Sequence, residues 1–153
     1  MSLTKKILMA LGIILVALQF FRPAQSNNNQ ASVTDISKVA VFPDSVRVII
    51  QNACYDCHSN NTVYPWYSKI QPVGWLLAGH IKDGRDNLNF SEFGEYSPKK
   101  QLSKLDAIAT VISEDIMPLP SYKMMHKSAR LSTDEKTLLI NWAQHATDSL
   151  SVK

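Results

Sequence analysis

Both cysteines of this 153-residue chain, and one of its four histidines, lie within five consecutive positions. They are Cys54, Cys57 and His58, in the stretch CYDCH, which we call the cysteine motif. Three chemistries use two cysteines at this spacing: a dithiol redox switch, half of a zinc site, and covalent attachment of haem. Each would require the rest of the chain to fold around this segment, so the motif constrains the fold more than any other feature.

The first two chemistries fit the cysteine motif poorly. A dithiol switch stands at the start of a helix that follows a strand, where the helix N-terminus lowers the pKa of the reactive thiol. Here the pair comes at the end of a predicted helix, with no strand before it. A structural zinc site needs four ligands, commonly with a second closely spaced pair. The other histidines, His80, His126 and His145, are widely separated from one another.

Covalent attachment of haem fits every position of the motif. On one helical turn Cys54 and Cys57 point the same way, so both sulfurs can reach one edge of a porphyrin. His58 follows directly, and its imidazole can bind the iron from the proximal side. C-x-x-C-H is the attachment signature of c-type haem. We therefore predict one covalently attached haem c, and the alternatives are a structural disulfide or chance clustering of the cysteines.

The first 26 residues differ in kind from the rest of the chain. Two lysines precede an apolar run from Ile7 to Phe21, and Arg22 and small residues follow it. This order is typical of a secretory signal, and the run is slightly shorter than the roughly 17 to 25 apolar residues of a spanning helix. We expect residues 1–26 to be a signal peptide or an N-terminal membrane anchor, with membrane contact through residues 7–21. The protein would then be periplasmic, soluble or tethered to the inner membrane.

The net charge of +3 comes from this N-terminal part. Residues 1–26 contain three basic residues and no acidic one: Lys5, Lys6 and Arg22. Removing these three from the 16 basic residues leaves 13, which equals the number of acidic residues. A neutral domain gives no reason to expect nucleic acid as a partner.

Hydrophobic periodicity predicts an all-α domain over residues 41–150, after a flexible tether over residues 27–40. Apolar residues recur at helical spacing in four segments, and no stretch alternates as a half-buried strand does. The helices are expected from Asp44 or Ser45 to the cysteine motif, over residues 73–87, over residues 99–116, and from Ser132 onward. We therefore predict a cytochrome c-like fold, with about four helices and long loops around one haem.

The last helix carries the clearest local signals. The Ser132 side chain can cap its first turn, while the Glu135 side chain at the third helical position can accept from the Ser132 backbone N–H. Its predicted buried face is Leu138, Leu139, Trp142 and Ala146. Before it, Pro118 and Pro120 break the periodicity, so that segment is predicted to be a loop.

Met117 is the predicted distal ligand of the iron. Met and His are the usual sixth ligands of haem in electron carriers. The proline after Met117 forces an extended backbone, which can lie across a flat ring. His80 and His126 stay open as alternatives, whereas Met124 and Met125 are expected to fill gaps in the core.

Aromatic residues and arginines supply candidates for the rest of the site. Trp66, Tyr67 and Trp75 are predicted to wall the haem, because aromatic side chains exclude water and can offer a polar tip. Arg85 and Arg130 are candidates to neutralise the propionates.

The cysteine motif, Met117–Pro118 and the opening of the last helix together resemble class I cytochrome c. More closely, CYDCHSNNTVYPWYSKIQPVGWL, HIKDGRDNLNFSEF and MPLPSYKMMHKSARLS are similar to the small exported haem-binding domain family of bacterial monohaem c-type cytochromes. The resemblance covers about residues 40–148 and implies a haem c with an electron-transfer or haem-binding role. The aromatic loop and GHIKDGRDNLNFSEF have no counterpart in class I cytochromes, which keeps His80 open as a ligand.

These features predict an electron carrier rather than an enzyme. There is no second C-x-x-C-H to feed electrons, and no convincing acid/base pair near Met117 beyond His126. We expect a monomer whose partners are redox proteins of unknown identity. The alternative is a haem-based sensor or small-ligand-binding module, in which the sixth ligand is weak or absent.

Overall fold

Eight α-helices and three short 3₁₀ segments make up the computed structural model, which describes residues 2–25, 27 and 32–151. The helices are α1 (Leu3–Leu18), α2 (Ile36–Val39), α3 (Asp44–Ala53), α4 (Tyr55–His58), α5 (Val73–Asn87), α6 (Pro98–Ser113), α7 (Pro120–Met125) and α8 (Thr133–Ser151). The 3₁₀ segments are Trp66–Lys69, Phe90–Glu95 and Lys127–Ala129. Within the described residues there is no strand, so the predicted all-α class is confirmed.

The core forms where α3, α6 and α8 meet. Helix α6 buries one stripe at helical spacing: Leu105, Ile108 and Ile112. Helix α8 contributes Leu139, Trp142, Ala143 and Ala146 to the same core, and α3 contributes Val46, Ile49 and Ile50. The Trp142 ring meets Phe42 edge-on at 5.1 Å, and its indole N–H donates to the Val41 carbonyl at 2.8 Å. The tryptophan therefore satisfies its polar atom while it packs α8 against the segment before α3.

The predicted start of the last helix is confirmed. The Ser132 N–H donates to Glu135 Oε2 at 2.8 Å, and the Glu135 N–H donates to Ser132 Oγ at 3.2 Å. These reciprocal bonds satisfy two backbone donors at the helix end. Leu138 departs from the predicted buried face, since 38% of it is exposed.

The first predicted helix is interrupted just before the cysteine motif. Helix α3 ends at Ala53, and Cys54 leaves helical geometry with φ −128° and ψ −39°. Helix α4 then forms a separate turn, closed by the His58 N–H donating to the Cys54 carbonyl at 2.9 Å. The motif therefore has its own orientation, rather than continuing the last turn of α3. Pro43, not Asp44 or Ser45, occupies the N-cap position of α3.

The proline-rich segment differs most from its prediction. Helix α6 ends at Ser113, three residues before the predicted limit, and Asp115 then adopts φ 56°. That left-handed residue turns the chain, which leaves Ile116 49% exposed. The predicted loop contains α7, because Pro120 stands in its first turn, where a missing N–H removes no helical hydrogen bond.

The segment before α3 packs on the domain rather than linking to it loosely. Ile36 is fully buried. Asp35 caps α2 by accepting from the Ser37 N–H at 2.9 Å, and it also accepts from the Tyr55 hydroxyl at 2.9 Å. Asp35 and Ile36, which fall within the flexible tether predicted over residues 27–40, are therefore held on the domain. Residues 28–31 of that tether lie outside the described residues.

Helix α1 precedes this domain and has no buried residue. Its sequence is apolar from Ile7 onward. In the part of the chain that the structure describes, no helix combines the length and apolarity needed to cross a membrane.

Candidate functional site

A cavity of about 900 Å³ lies in front of the cysteine motif. Helices α3 to α8 all contribute to its wall, which is predominantly apolar. Its volume falls within the roughly 300 to 1,000 Å³ typical of cofactor and ligand sites. Ile50, Ile108 and Leu139 belong both to this wall and to the hydrophobic core, so the cavity opens directly onto the core.

The structure brings six of the seven predicted site residues to this cavity. They are Cys54, Cys57, His58, Trp66, Tyr67 and Met117. The seventh, Trp75, does not line it, because its indole N–H is turned toward the Phe21 carbonyl, to which it donates at 2.7 Å. The cysteines and the histidine lie on one turn of chain, and Met117 reaches the same cavity from the segment between α6 and α7.

Cys54 and Cys57 are free thiols, and both are partly buried. Burial, with a smaller contribution from Cys57, raises the pKa of Cys54 to about 12. Burial and the neighbouring Asp56 carboxylate raise the pKa of Cys57 to about 11. A dithiol switch needs a thiol with a lowered pKa, and this environment does the opposite. Among the described residues, no group of three or more His, Cys, Asp and Glu side chains could hold a metal ion.

The His58 ring is oriented by a backbone hydrogen bond. Its Nδ1 lies 3.0 Å from the Leu88 carbonyl oxygen, which only accepts, so Nδ1 carries the proton. The lone pair is then on Nε2. Burial lowers the pKa of His58, which favours this neutral form. An imidazole held in this way, with its other nitrogen on a carbonyl, is the usual arrangement of a metal-ligating histidine.

Gly84 lets α5 approach the cysteine motif closely. An ideal Cβ at this position would lie 2.6 Å from the Cys57 carbonyl oxygen and 3.2 Å from the Cys57 Cβ. No side chain fits between the two backbones. The close approach also places Leu88, at the end of α5, within reach of His58.

The candidates for the distal ligand occupy different places. Met117 is partly buried against the core and lines the cavity. His80 lines the same cavity from α5. His126 is not part of the wall, because its Nε2 lies 2.6 Å from the Tyr67 hydroxyl. Met124 and Met125 line the cavity but are 70% and 49% exposed, so they lie at its rim and do not fill the core as expected.

The arginines expected to neutralise propionates are not part of the cavity wall. Arg85 donates from Nε to the Ser59 carbonyl at 2.8 Å and from a guanidinium nitrogen to Thr62 Oγ1 at 2.9 Å. It therefore braces the loop that follows the cysteine motif. Arg130 donates to the Lys123 carbonyl at 2.8 Å and supports the end of α7.

Asp56 is a residue of the site that the sequence analysis missed. It lies between the two cysteines and accepts from the Tyr122 hydroxyl at 2.6 Å and from the Val63 N–H at 3.0 Å. Burial and this carboxylate raise the pKa of Tyr122. The bond ties α7 to the cysteine motif. Pro120 in the first turn of α7 was the one local signal that could have placed Tyr122 on a helix.

Together these residues fit a haem. Two neighbouring thiols, a neutral imidazole with its lone pair on Nε2 and a thioether all line one apolar cavity of suitable size. The fold and site thus define an all-helical cofactor-binding protein.

The comparison with known families agrees with this description. A family model described as a haem-binding domain matches residues 13–145, so the chain belongs to the haem-binding domain family. It is accordingly a haem-binding protein. No curated protein matches the chain, and no solved structure matches it.

Proposed function

We propose that this protein is an exported monohaem c-type cytochrome that carries electrons. Cys54 and Cys57 would hold the haem through two thioether bonds, His58 would be the proximal ligand and Met117 the distal ligand. The observation that carries the proposal is that these four residues line one cavity. A haem bound there supplies a one-electron couple at its iron.

The proximal side of the site is prepared for this role. The Leu88 carbonyl holds the proton on His58 Nδ1, so that Nε2 is available to a metal without rearrangement. Gly84 allows α5 to lie against the motif that carries this histidine. A fixed imidazole needs little reorganisation when the charge of the site changes, which favours rapid electron exchange.

The distal side distinguishes the proposal from its alternative. A thioether ligand raises the reduction potential relative to a second imidazole. Met117 has the better position, since it packs against the core, whereas Met124 and Met125 are exposed at the rim. His80 is the competing ligand, because it also lines the cavity.

Spectra of the holoprotein test the attachment and both ligands. A pyridine haemochrome of the c type, with pigment that acidified acetone does not extract, is expected for two thioether bonds. The oxidised protein should show the weak near-infrared sulfur-to-iron band, and Met117→Ala should abolish it. Met125→Ala is the matched control, because it removes the same side chain from the same cavity and should keep the band. An oxidised wild-type protein without the band would reject Met117 in favour of a histidine such as His80, and a band that survives Met117→Ala but disappears in Met125→Ala would assign the ligand to Met125.

Carbon monoxide binding separates a carrier from a haem-based sensor or small-ligand binder. A firmly held sixth ligand should make the reduced wild-type protein resist carbon monoxide at neutral pH, whereas Met117→Ala should bind it readily. Rapid and complete binding by the wild type would instead support the sensor.

A further inference from the structure

The segment after α1 is hydrogen-bonded to the haem-binding domain along its whole described length. We call residues 19–25 together with Asn27 the clamp segment. Gln19 and Gln71 form a reciprocal pair: the Gln71 N–H donates to Gln19 Oε1 at 2.9 Å, and Gln19 Nε2 donates to the Gln71 carbonyl at 3.2 Å. Side-chain amides that pair with a backbone N–H and C=O in this way define one register for the segment.

A second reciprocal pair closes the other end of the clamp segment. Asn27 Nδ2 donates to the Thr62 carbonyl at 2.6 Å, and the Thr62 N–H donates to Asn27 Oδ1 at 2.9 Å. Between the two pairs, Trp75 Nε1 donates to the Phe21 carbonyl at 2.7 Å and Gln25 Nε2 donates to Ser68 Oγ at 3.2 Å. Six hydrogen bonds therefore bind the clamp segment to the stretch between Thr62 and Trp75.

That stretch is also a wall of the cavity. Ser68, Gln71 and Trp75 hold the clamp segment, whereas their neighbours Tyr67 and Ile70 line the cavity. A single layer of polypeptide thus separates the cavity from the clamp segment. The family model agrees that this segment belongs to the domain, because its match begins at residue 13, inside α1.

We infer that the mature protein retains the clamp segment, and that α1 with the adjacent Phe20 and Phe21 binds an anionic lipid surface, which holds the cavity close to the membrane. This inference goes beyond the proposed electron transfer.

The exposed side chains and the charges of the N-terminal part indicate that its partner is a lipid surface. Phe20 and Phe21 are 83% and 68% exposed, and α1 exposes apolar side chains around its whole circumference. A helix of that kind is typical of membranes rather than of protein surfaces. The only charged side chains of residues 2–25 are those of Lys5, Lys6 and Arg22, and all three complement anionic headgroups. Trp75, 39% exposed beside Phe21, adds an aromatic side chain of the type found at lipid interfaces.

The intact mass of the holoprotein, matured in a bacterium that assembles c-type cytochromes, tests retention. A mass that includes residues 19–27 is expected. A mature chain that begins at Asn27 or later would overturn the inference. If that shortened chain still carried covalent haem, the proposed function would stand, so the two failures are distinguishable.

Hydrogen exchange of the full chain tests the clamp segment itself. Gln19→Ala should make the amide hydrogen of Gln71 exchange roughly two- to tenfold faster, and Asn27→Ala should do the same for Thr62, because each amide loses its acceptor on the clamp segment. Gln144→Ala, the same type of change on the exposed surface of α8, should leave both rates unchanged. Equal rates in all variants would show that the bonds do not form.

Flotation of the full-length holoprotein with vesicles tests the lipid partner. Binding to vesicles of phosphatidylglycerol and phosphatidylcholine is expected to exceed binding to pure phosphatidylcholine and to weaken with added salt. Phe20→Ser combined with Phe21→Ser should weaken it about tenfold or more. The control Val41→Ser, at a position that is also 83% exposed, should not. The lipid assignment would be overturned in favour of a protein partner for α1 if the protein did not bind vesicles. The same would follow if binding depended neither on phosphatidylglycerol nor on Phe20 and Phe21.

Discussion

Substituting alanine for Gly84 tests the close approach between α5 and the cysteine motif. The added Cβ would lie 2.6 Å from the Cys57 carbonyl oxygen and 3.1 Å from its carbonyl carbon. Both are backbone atoms of the turn that the His58 N–H closes onto Cys54. They cannot rotate away as a flexible side chain could, so the helix and the motif must separate.

The size of the effect follows from two opposing contributions. Overpacking of this kind costs about 1–3 kcal/mol. Replacing glycine in a helix interior by alanine returns about 0.5–1 kcal/mol through helix propensity. Gly79 lies in the same helix, and a Cβ there would meet nothing within 4 Å. Gly79→Ala therefore gains helix propensity without a steric clash. The difference in stability between the two variants measures the cost of the clash at position 84.

Thermal and guanidinium unfolding of the holoprotein, followed by far-ultraviolet circular dichroism, measure this difference. At about 2–4 °C per kcal/mol for a chain of this size, Gly84→Ala should melt several degrees below Gly79→Ala. Gly79→Ala should melt at or above the wild type. If the two variants shift the melting temperature equally, the backbones do not approach as closely as the structure has them.

Three further changes probe other parts of the molecule. Tyr122→Phe removes the 2.6 Å hydrogen bond to Asp56. It should lower the free energy of unfolding by about 1–3 kcal/mol, the value for a hydrogen bond to a charged group. An unchanged free energy in guanidinium unfolding would contradict that bond. Ser132→Ala removes the cap of α8 and should cost about 0.5–2 kcal/mol in the same assay. The Ser132 N–H and hydroxyl lower the pKa of Glu135 in the folded protein. Its contribution to stability is therefore fully present above its unfolded pKa of about 4.3 and is lost as the pH falls through the lower pKa of the folded state. The stability difference between wild type and Glu135→Gln should therefore shrink between pH 6 and pH 3, and a constant difference would rule out this linkage.

Local patterns predicted the parts of the fold that depend on neighbours in sequence. Periodicity placed α5 at residues 73–87, where the structure has Val73–Asn87. The capping signal of Ser132 and Glu135 placed the start of α8. The spacing of the cysteine motif was sufficient to predict that both thiols and His58 would face one site, because a single turn of chain aligns them.

The remaining features depend on contacts that no local pattern carries. Asp56 and Tyr122 are 66 residues apart, and neither has a sequence neighbour that indicates the bond. Trp75 could face either way from α5, and the clamp segment, rather than the cavity, provides the acceptor for its N–H. Helix α7 departs from the predicted loop because Pro120 stands in its first turn, a position with which proline is compatible.

The position of Asp56 has a consequence for protein engineering. Through its two oxygens it connects the turn that bears the cysteines to Val63 on one flank and to Tyr122 on the other. A five-residue graft of CYDCH onto an unrelated helical scaffold would transfer the reactive groups without the loop at Val63 and the helix α7 that this carboxylate holds. A working transplant must therefore carry the phenol donor and the returning loop with it, as one unit.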